Sequence, residues 1–194
     1  MKHYWGLYGI MLGAIVILFS TQIMISNNTH STKKIALVSS AFIQHGTIPK
    51  THVYTECGGN NQSPELRWSS VPKNTQSFAL IVDDPDAPSA KNPRENPWVH
   101  WVVFDLPAEV EKLEQGIDIN TLAGKEGVND FGNNNYGGPC PPAGSGPHRY
   151  FFKLYALDIP TLGLESGATK ADVLRKIDGH VLATGELMGT FEIK

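Results

Sequence analysis

From Ile35 to the end of the chain, short runs of β-branched and aromatic residues alternate with clusters of Gly, Pro and Asn, and this alternation limits the fold more than any other feature. Runs of that kind suit single strands, and the clusters suit the turns between them. The 19 Gly and 13 Pro in 194 residues agree, since so many turn formers fit short strands better than a helical bundle. The expected fold is mainly β, with one or two short helices. The clearest strands are Ser77 to Asp83, Trp98 to Leu106 and His148 to Leu157, with weaker ones at Ile35 to Phe42 and Leu187 to Ile193. One helix is expected from Lys170 to Ile177, where Thr169 offers an N-cap oxygen, Asp172 completes the box and Gly179 ends the turn. Its Val173, Leu174 and Ile177 form an apolar stripe that can cover one face of a sheet. Between the strands lie long turn-rich stretches at residues 57–64, 85–97 and 129–147, and long loops in a compact domain are usually functional.

The start of the chain is different in kind. Tyr4 to Ile25 contains no charge, which reads as a signal peptide or as a membrane-anchoring helix. Residues 1–26 are therefore set apart as signal or anchor, residues 27–34 as a polar linker, and residues 35–194 as one domain. The expected location is periplasmic or secreted, with an inner-membrane anchor at residues 4–25 if the segment is not cleaved. Net charge is −3, so no global field draws the chain to nucleic acid, and any anion site must be local.

Candidate chemistry gathers at three places. In Asp83-Asp84-Pro85-Asp86-Ala87-Pro88, prolines restrict the backbone and hold Asp84 and Asp86 in set directions. By a period of two, His100 shares a face with Trp98, Val102 and Phe104, and His148 shares one with Tyr150 and Phe152. Arg149 then points the other way, toward a loop acid such as Asp86.

The chain resembles the phosphatidylethanolamine-binding proteins, also called Raf kinase inhibitor proteins, and in particular their bacterial members. The resemblance rests on Asp84-Pro85-Asp86-Ala87-Pro88, His100-Trp101 and Gly146-Pro147-His148-Arg149. Residues 61–68 and 136–142 support it, all in family order between about Ile35 and Lys194. It implies a β-sandwich with a small pocket for phosphate, acetate-like anions or a phospholipid headgroup, without cofactor and without catalysis. Carried over by position, the ligand-binding residues are Asp84, Asp86, His100, His148 and Tyr150, with Pro141 and Pro142 in the wall; Asp86 also holds the loop. It further implies a kinase or protease as a protein target. The chain departs from the animal members in ending at Leu187 to Ile193 without a further helix, which weakens the transfer of their kinase partners.

In such a pocket imidazole N–H and tyrosine hydroxyl groups donate to the anion. Asp84 can raise the pKa of a neighbouring histidine and keep it charged, so that binding weakens as pH rises through the histidine titration. Asp84 can also receive an ammonium such as that of ethanolamine. Two alternatives use the same His and Asp residues: a metal site, whose ligands lack helical spacing here, and a hydrolase, for which Gly144-Ser145-Gly146 lacks the strand-turn-helix setting of a nucleophile elbow. The only cysteines, Cys57 and Cys140, form either a disulfide stapling the pocket rim or two separate thiols, and Cα atoms more than about 7 Å apart would exclude the bond.

Overall fold

The computed structural model describes residues 1–2 and 33–194. The uncharged run, with its reading as signal, anchor or apolar helix, lies outside the described residues, as does the linker up to residue 32. Among the described residues no helix is long and apolar enough to cross a membrane.

In chain order the strands are β1 (Lys33–Lys34), β2 (Ala36–Val38), β3 (Leu66–Ser69), β4 (Ser77–Asp84), β5 (Trp98–Pro107), β6 (Lys112–Leu113), β7 (Lys125–Glu126), β8 (His148–Leu157) and β9 (Val181–Phe191). A six-stranded sheet runs β1-β9-β8-β4-β5-β7, and a three-stranded sheet runs β2-β3-β6. The expected strand at residues 35–42 shrinks to β2, while the expected last strand begins at Val181, six residues earlier than the alternation from Leu187 suggested. β1 pairs in parallel with β9, so sheet structure starts inside the stretch read as linker.

Strand β4 explains the layering. It is buried along its whole length, because its two faces meet two different cores. Phe78, Leu80 and Val82 point toward the small sheet and meet Leu66, Trp68 and Leu113, together with Phe152 and Leu154 of β8. Ala79 and Ile81 point the other way and meet Val173 and Ile177 of the helix α1 (Lys170–Ile177). That helix starts on the expected capping box, with the Thr169 and Asp172 side chains bonded reciprocally to backbone, and its apolar stripe covers the outer face of the large sheet.

The alternation of β5 is broken once beside the candidate site. Val82 pairs with Trp101, but Asp83 pairs with Val99, so His100 is an extra residue opposite β4, a β-bulge. Below the bulge Val102 and Phe104 face α1 in the outer core. Above it Trp98 and His100 face inward with Tyr150. The expectation that His100 shares a face with Val102 and Phe104 is therefore corrected; a period-two count holds only along an unbroken ladder. The carbonyl of the bulged residue is satisfied by the loop, where Gly137 N–H donates to His100 O at 2.9 Å.

Candidate functional site

At the open end of β4, β5 and β8 lies a cavity of about 360 Å³. Its base is made of side chains that are all but fully buried: Asp84, His100, His148 and Tyr150. Its walls are apolar, from Pro88, Trp98, Phe131, Pro141 and Pro142, and among the described residues Arg94 is the one Arg or Lys that lines it.

Each base residue is held by the backbone chemistry of its own segment. After β4 the chain turns at Pro85, and Asp84 Oδ1 accepts from the Asp86 backbone N–H at 2.7 Å. Asp84 Oδ2 lies 2.7 Å from His148 Nδ1, which donates to it. On its other side His148 Nε2 sits 3.0 Å from Ser145 Oγ, which is also 2.7 Å from Pro142 O. Both ring nitrogens of His148 are thus engaged within the protein. His100 Nδ1 is 2.6 Å from the Gly137 carbonyl, and because a carbonyl only accepts, Nδ1 carries the proton. Burial pushes the His100 pKa below the ordinary 6.5, with the Gly137 bond and Asp84 acting the other way. With the proton on Nδ1, Nε2 is the nitrogen that can accept when the ring is neutral. For His100, burial works against the charge that Asp84 was expected to maintain.

Two polar atoms of the lining residues have no partner among the described residues: Tyr150 Oη and Trp98 Nε1. A buried unpaired polar group costs about 1–3 kcal/mol, so such groups point to something outside the protein that completes them. Burial and the nearby Asp84 push the Tyr150 pKa far up, and the hydroxyl keeps its proton.

Asp86 does not line the cavity, which corrects its place among the ligand-binding residues. Its carboxylate faces the opposite side of β8 and receives the Arg149 backbone N–H at 3.0 Å, Nε at 2.8 Å and Nη2 at 2.7 Å. This fork holds the Asp86 pKa down and fixes the loop, as the alternation of β8 implied for Arg149.

Cys57 and Cys140 are joined as a disulfide, with Cα atoms 5.6 Å apart, and Cys140 lies in the cavity wall between Pro139 and Pro141. Reading the sequence singled out Pro141 and Pro142 but missed Arg94 and Phe131, and it weighed Ser145 only as a nucleophile. Arg94 had one available signal, as one of two cations in the long 85–97 loop. Phe131 had none; it is delivered by a loop wound around Asn129, whose side-chain oxygen accepts from Phe131 N and Asn133 N.

The chain Ser145–His148–Asp84 has the order of a catalytic triad, yet Ser145 is not among the cavity-lining residues. Its hydroxyl ties His148 to the Pro142 turn. For a metal, no group of three or more His, Cys, Asp or Glu ligands exists among the described residues.

A family model described as phosphatidylethanolamine-binding protein matches residues 21–192. A UPF0098 protein of Aquifex aeolicus is 46% identical over 156 residues, covering 79% of this chain and 86% of that protein. Among solved structures, the Chlamydia trachomatis PEBP homologue CT736 superposes with a TM-score of 0.73 at 40% identity, over 84% of this chain and 99% of the other. Escherichia coli YbcL, described as a new member of the mammalian PEBP family, gives 0.74 at 34% identity, over 83% and 99%. With the β-sandwich and the cavity at the end of β4, β5 and β8 in place, these likenesses show that the chain belongs to the phosphatidylethanolamine-binding protein family.

Proposed function

We propose that this domain binds, without turning it over, a small ligand with an anionic group: phosphate or a phospholipid headgroup of the phosphatidylethanolamine type. The carrying observation is the buried, unpartnered Tyr150 hydroxyl in a 360 Å³ cavity with apolar walls, a size and lining suited to a small ligand. Binding rather than turnover is supported by the lining itself. Cys140 is tied up in its disulfide, and among the described residues no serine, threonine or lysine lines the cavity. The reading needs no kinase or protease target. It extends to an oxidising compartment, periplasmic or secreted, because a disulfide between the only two cysteines persists there and the uncharged run Tyr4 to Ile25 suits export.

Calorimetric titration of the protein with inorganic phosphate and O-phosphorylethanolamine tests the proposal. Wild type should bind, and Tyr150→Phe should bind about tenfold more weakly with an unchanged melting curve, the loss of one hydrogen bond in a dry site. Wild type that takes up neither probe at millimolar concentration would overturn it.

A further inference from the structure

We propose that a second cavity, enclosed by β7, the turn at residues 116–118 and the stretch at residues 61–63, is a binding site for a small primary-ammonium ligand held by Glu126, Asp118 and Ser63. It shares no lining residue with the cavity at the end of β4, β5 and β8, and it does not depend on the anion binding proposed there.

Hydrogen bonds tie several segments around this cavity of about 240 Å³. Gly116 N–H donates to the Ser63 carbonyl at 2.9 Å, which pins the turn before Asp118 to the stretch that leads into β3. Asn61 is used twice: its Nδ2 donates to Tyr136 O at 3.1 Å, and its Oδ1 accepts from Gly138 N–H at 2.7 Å. Tyr136 Oη donates in turn to the His52 carbonyl at 2.9 Å. From β5 the fully buried Trp101 donates its Nε1–H to Glu126 Oε1 at 2.7 Å, which fixes the carboxylate of β7.

What these bonds leave over is one-sided. Asp118 Oδ1 caps the short helical turn at Ile119–Leu122, accepting from Asn120 N at 3.0 Å and from its Nδ2 at 2.9 Å. Asp118 Oδ2 and Glu126 Oε2 have no hydrogen-bond partner among the described residues. Ser63 is 3% exposed and its Oγ is also without a partner among them, a state that a buried hydroxyl keeps only when something outside the protein completes it. Among the described residues no Arg, Lys or His lines the cavity, and Lys125, beside Glu126, donates to the Leu164 carbonyl. Burial pushes the Glu126 pKa up against the Trp101 bond, and the charge of Asp118 adds to the rise, as for a carboxylate that lacks a counter-charge. A single water completes Ser63 but neutralises neither acid, and it occupies only about 30 Å³. A hard metal ion needs about six oxygen ligands, whereas no group of three or more His, Cys, Asp or Glu gathers among the described residues. A primary ammonium brings one positive charge and three N–H donors, the complement of two carboxylate oxygens and a hydroxyl.

The test is an NMR titration of the full chain with n-propylammonium chloride, read at the indole N–H resonances, because Trp101 Nε1 reports on Glu126 and Trp98 lines the other cavity. Trp101→Phe assigns the signal. In wild type the Trp101 resonance should move saturably at millimolar ligand while that of Trp98 stays in place. Sodium chloride at matched ionic strength should not reproduce the shift. Glu126→Gln keeps an acceptor for the indole and removes the charge, so affinity should fall about tenfold. Ser63→Ala removes only the hydroxyl and should weaken binding severalfold, a measurement that stands even if Glu126→Gln does not fold. Wild-type affinity in Ser63→Ala or in folded Glu126→Gln overturns the assignment, as does a shift that sodium chloride reproduces. A Trp101 resonance that does not respond means a cavity holding water alone and overturns the site. Calcium chloride that binds more tightly than the ammonium overturns the ligand class. Failure of phosphate to bind at the other cavity leaves this site standing, since the two share no residue.

Discussion

Asp83 and Asp84 are neighbours on β4, both buried, and the pleat sends them to opposite faces with different consequences. On the outer face Asp83 is saturated: Lys153 reaches it from β8 at 2.8 Å and Lys170 from α1. Nearby, Asp86 is equally well matched to Arg149. On the inner face Asp84 is committed to His148 and the Asp86 amide, while Tyr150 and Trp98 keep polar atoms with no partner among the described residues. One face is closed by pairing and the other is left incomplete, which is the physical difference between a structural cluster and a binding site.

The disulfide gives the largest test of that contrast, because it ties the incomplete face together. The bridge spans 83 residues, and in the loop-entropy model opening one of that size costs about 4 kcal/mol. A Cys57→Ser/Cys140→Ser variant should lose stability of that order in urea unfolding and bind ligand more weakly, since Cys140 is part of the wall. Intact affinity in a destabilised variant would show that the wall stands without its staple.

Next in size are the two neighbouring acids. Asp84→Ala leaves the fully buried His148 Nδ1 unpaired and should cost about 3 kcal/mol together with ligand binding. Asp83→Ala should cost about 1–2 kcal/mol, because Lys153 and Lys170 are partly exposed and can turn to water, and binding should survive. Equal losses of binding in the two variants would break the comparison. A smaller effect is expected for Arg149→Ala. The guanidinium is half exposed, so about 1 kcal/mol of stability should go, with no measurable change in affinity. Normal melting with lost binding would put Arg149 on the wrong face.

The smallest effect is a pH dependence. Burial depresses the pKa values of His52 and His100 below 6.5, so below that pH the unfolded chain binds more protons than the folded one. Stability should therefore fall on acidification below 6.5 and be flat above it on this account. His100→Gln should flatten the acid limb of a melting-temperature profile; an unchanged slope would mean that the buried ring is not its source.

Much of this was legible in the residues. The runs at 77–83, 98–106 and 148–157 had to be strands, and Thr169 with Asp172 had to open a helix, because both signals are local: a side-chain pattern and a cap act over a few positions. Alternation along β8 also separated His148 and Tyr150 from Arg149 correctly, since that ladder is unbroken through residues 148–156.

Tertiary structure alone decided three things. The bulge at His100 depends on how β4 and β5 register, and it moved that ring to the pocket while sending Val102 and Phe104 under the helix. The joining of Cys57 to Cys140 depends on a 5.6 Å Cα separation between loops 83 residues apart, which no local pattern encodes. The meeting of Arg94, Trp98 and Asp130 depends on long-range packing. Short-range preferences determine which element forms; distances between elements determine which polar groups are left for a ligand.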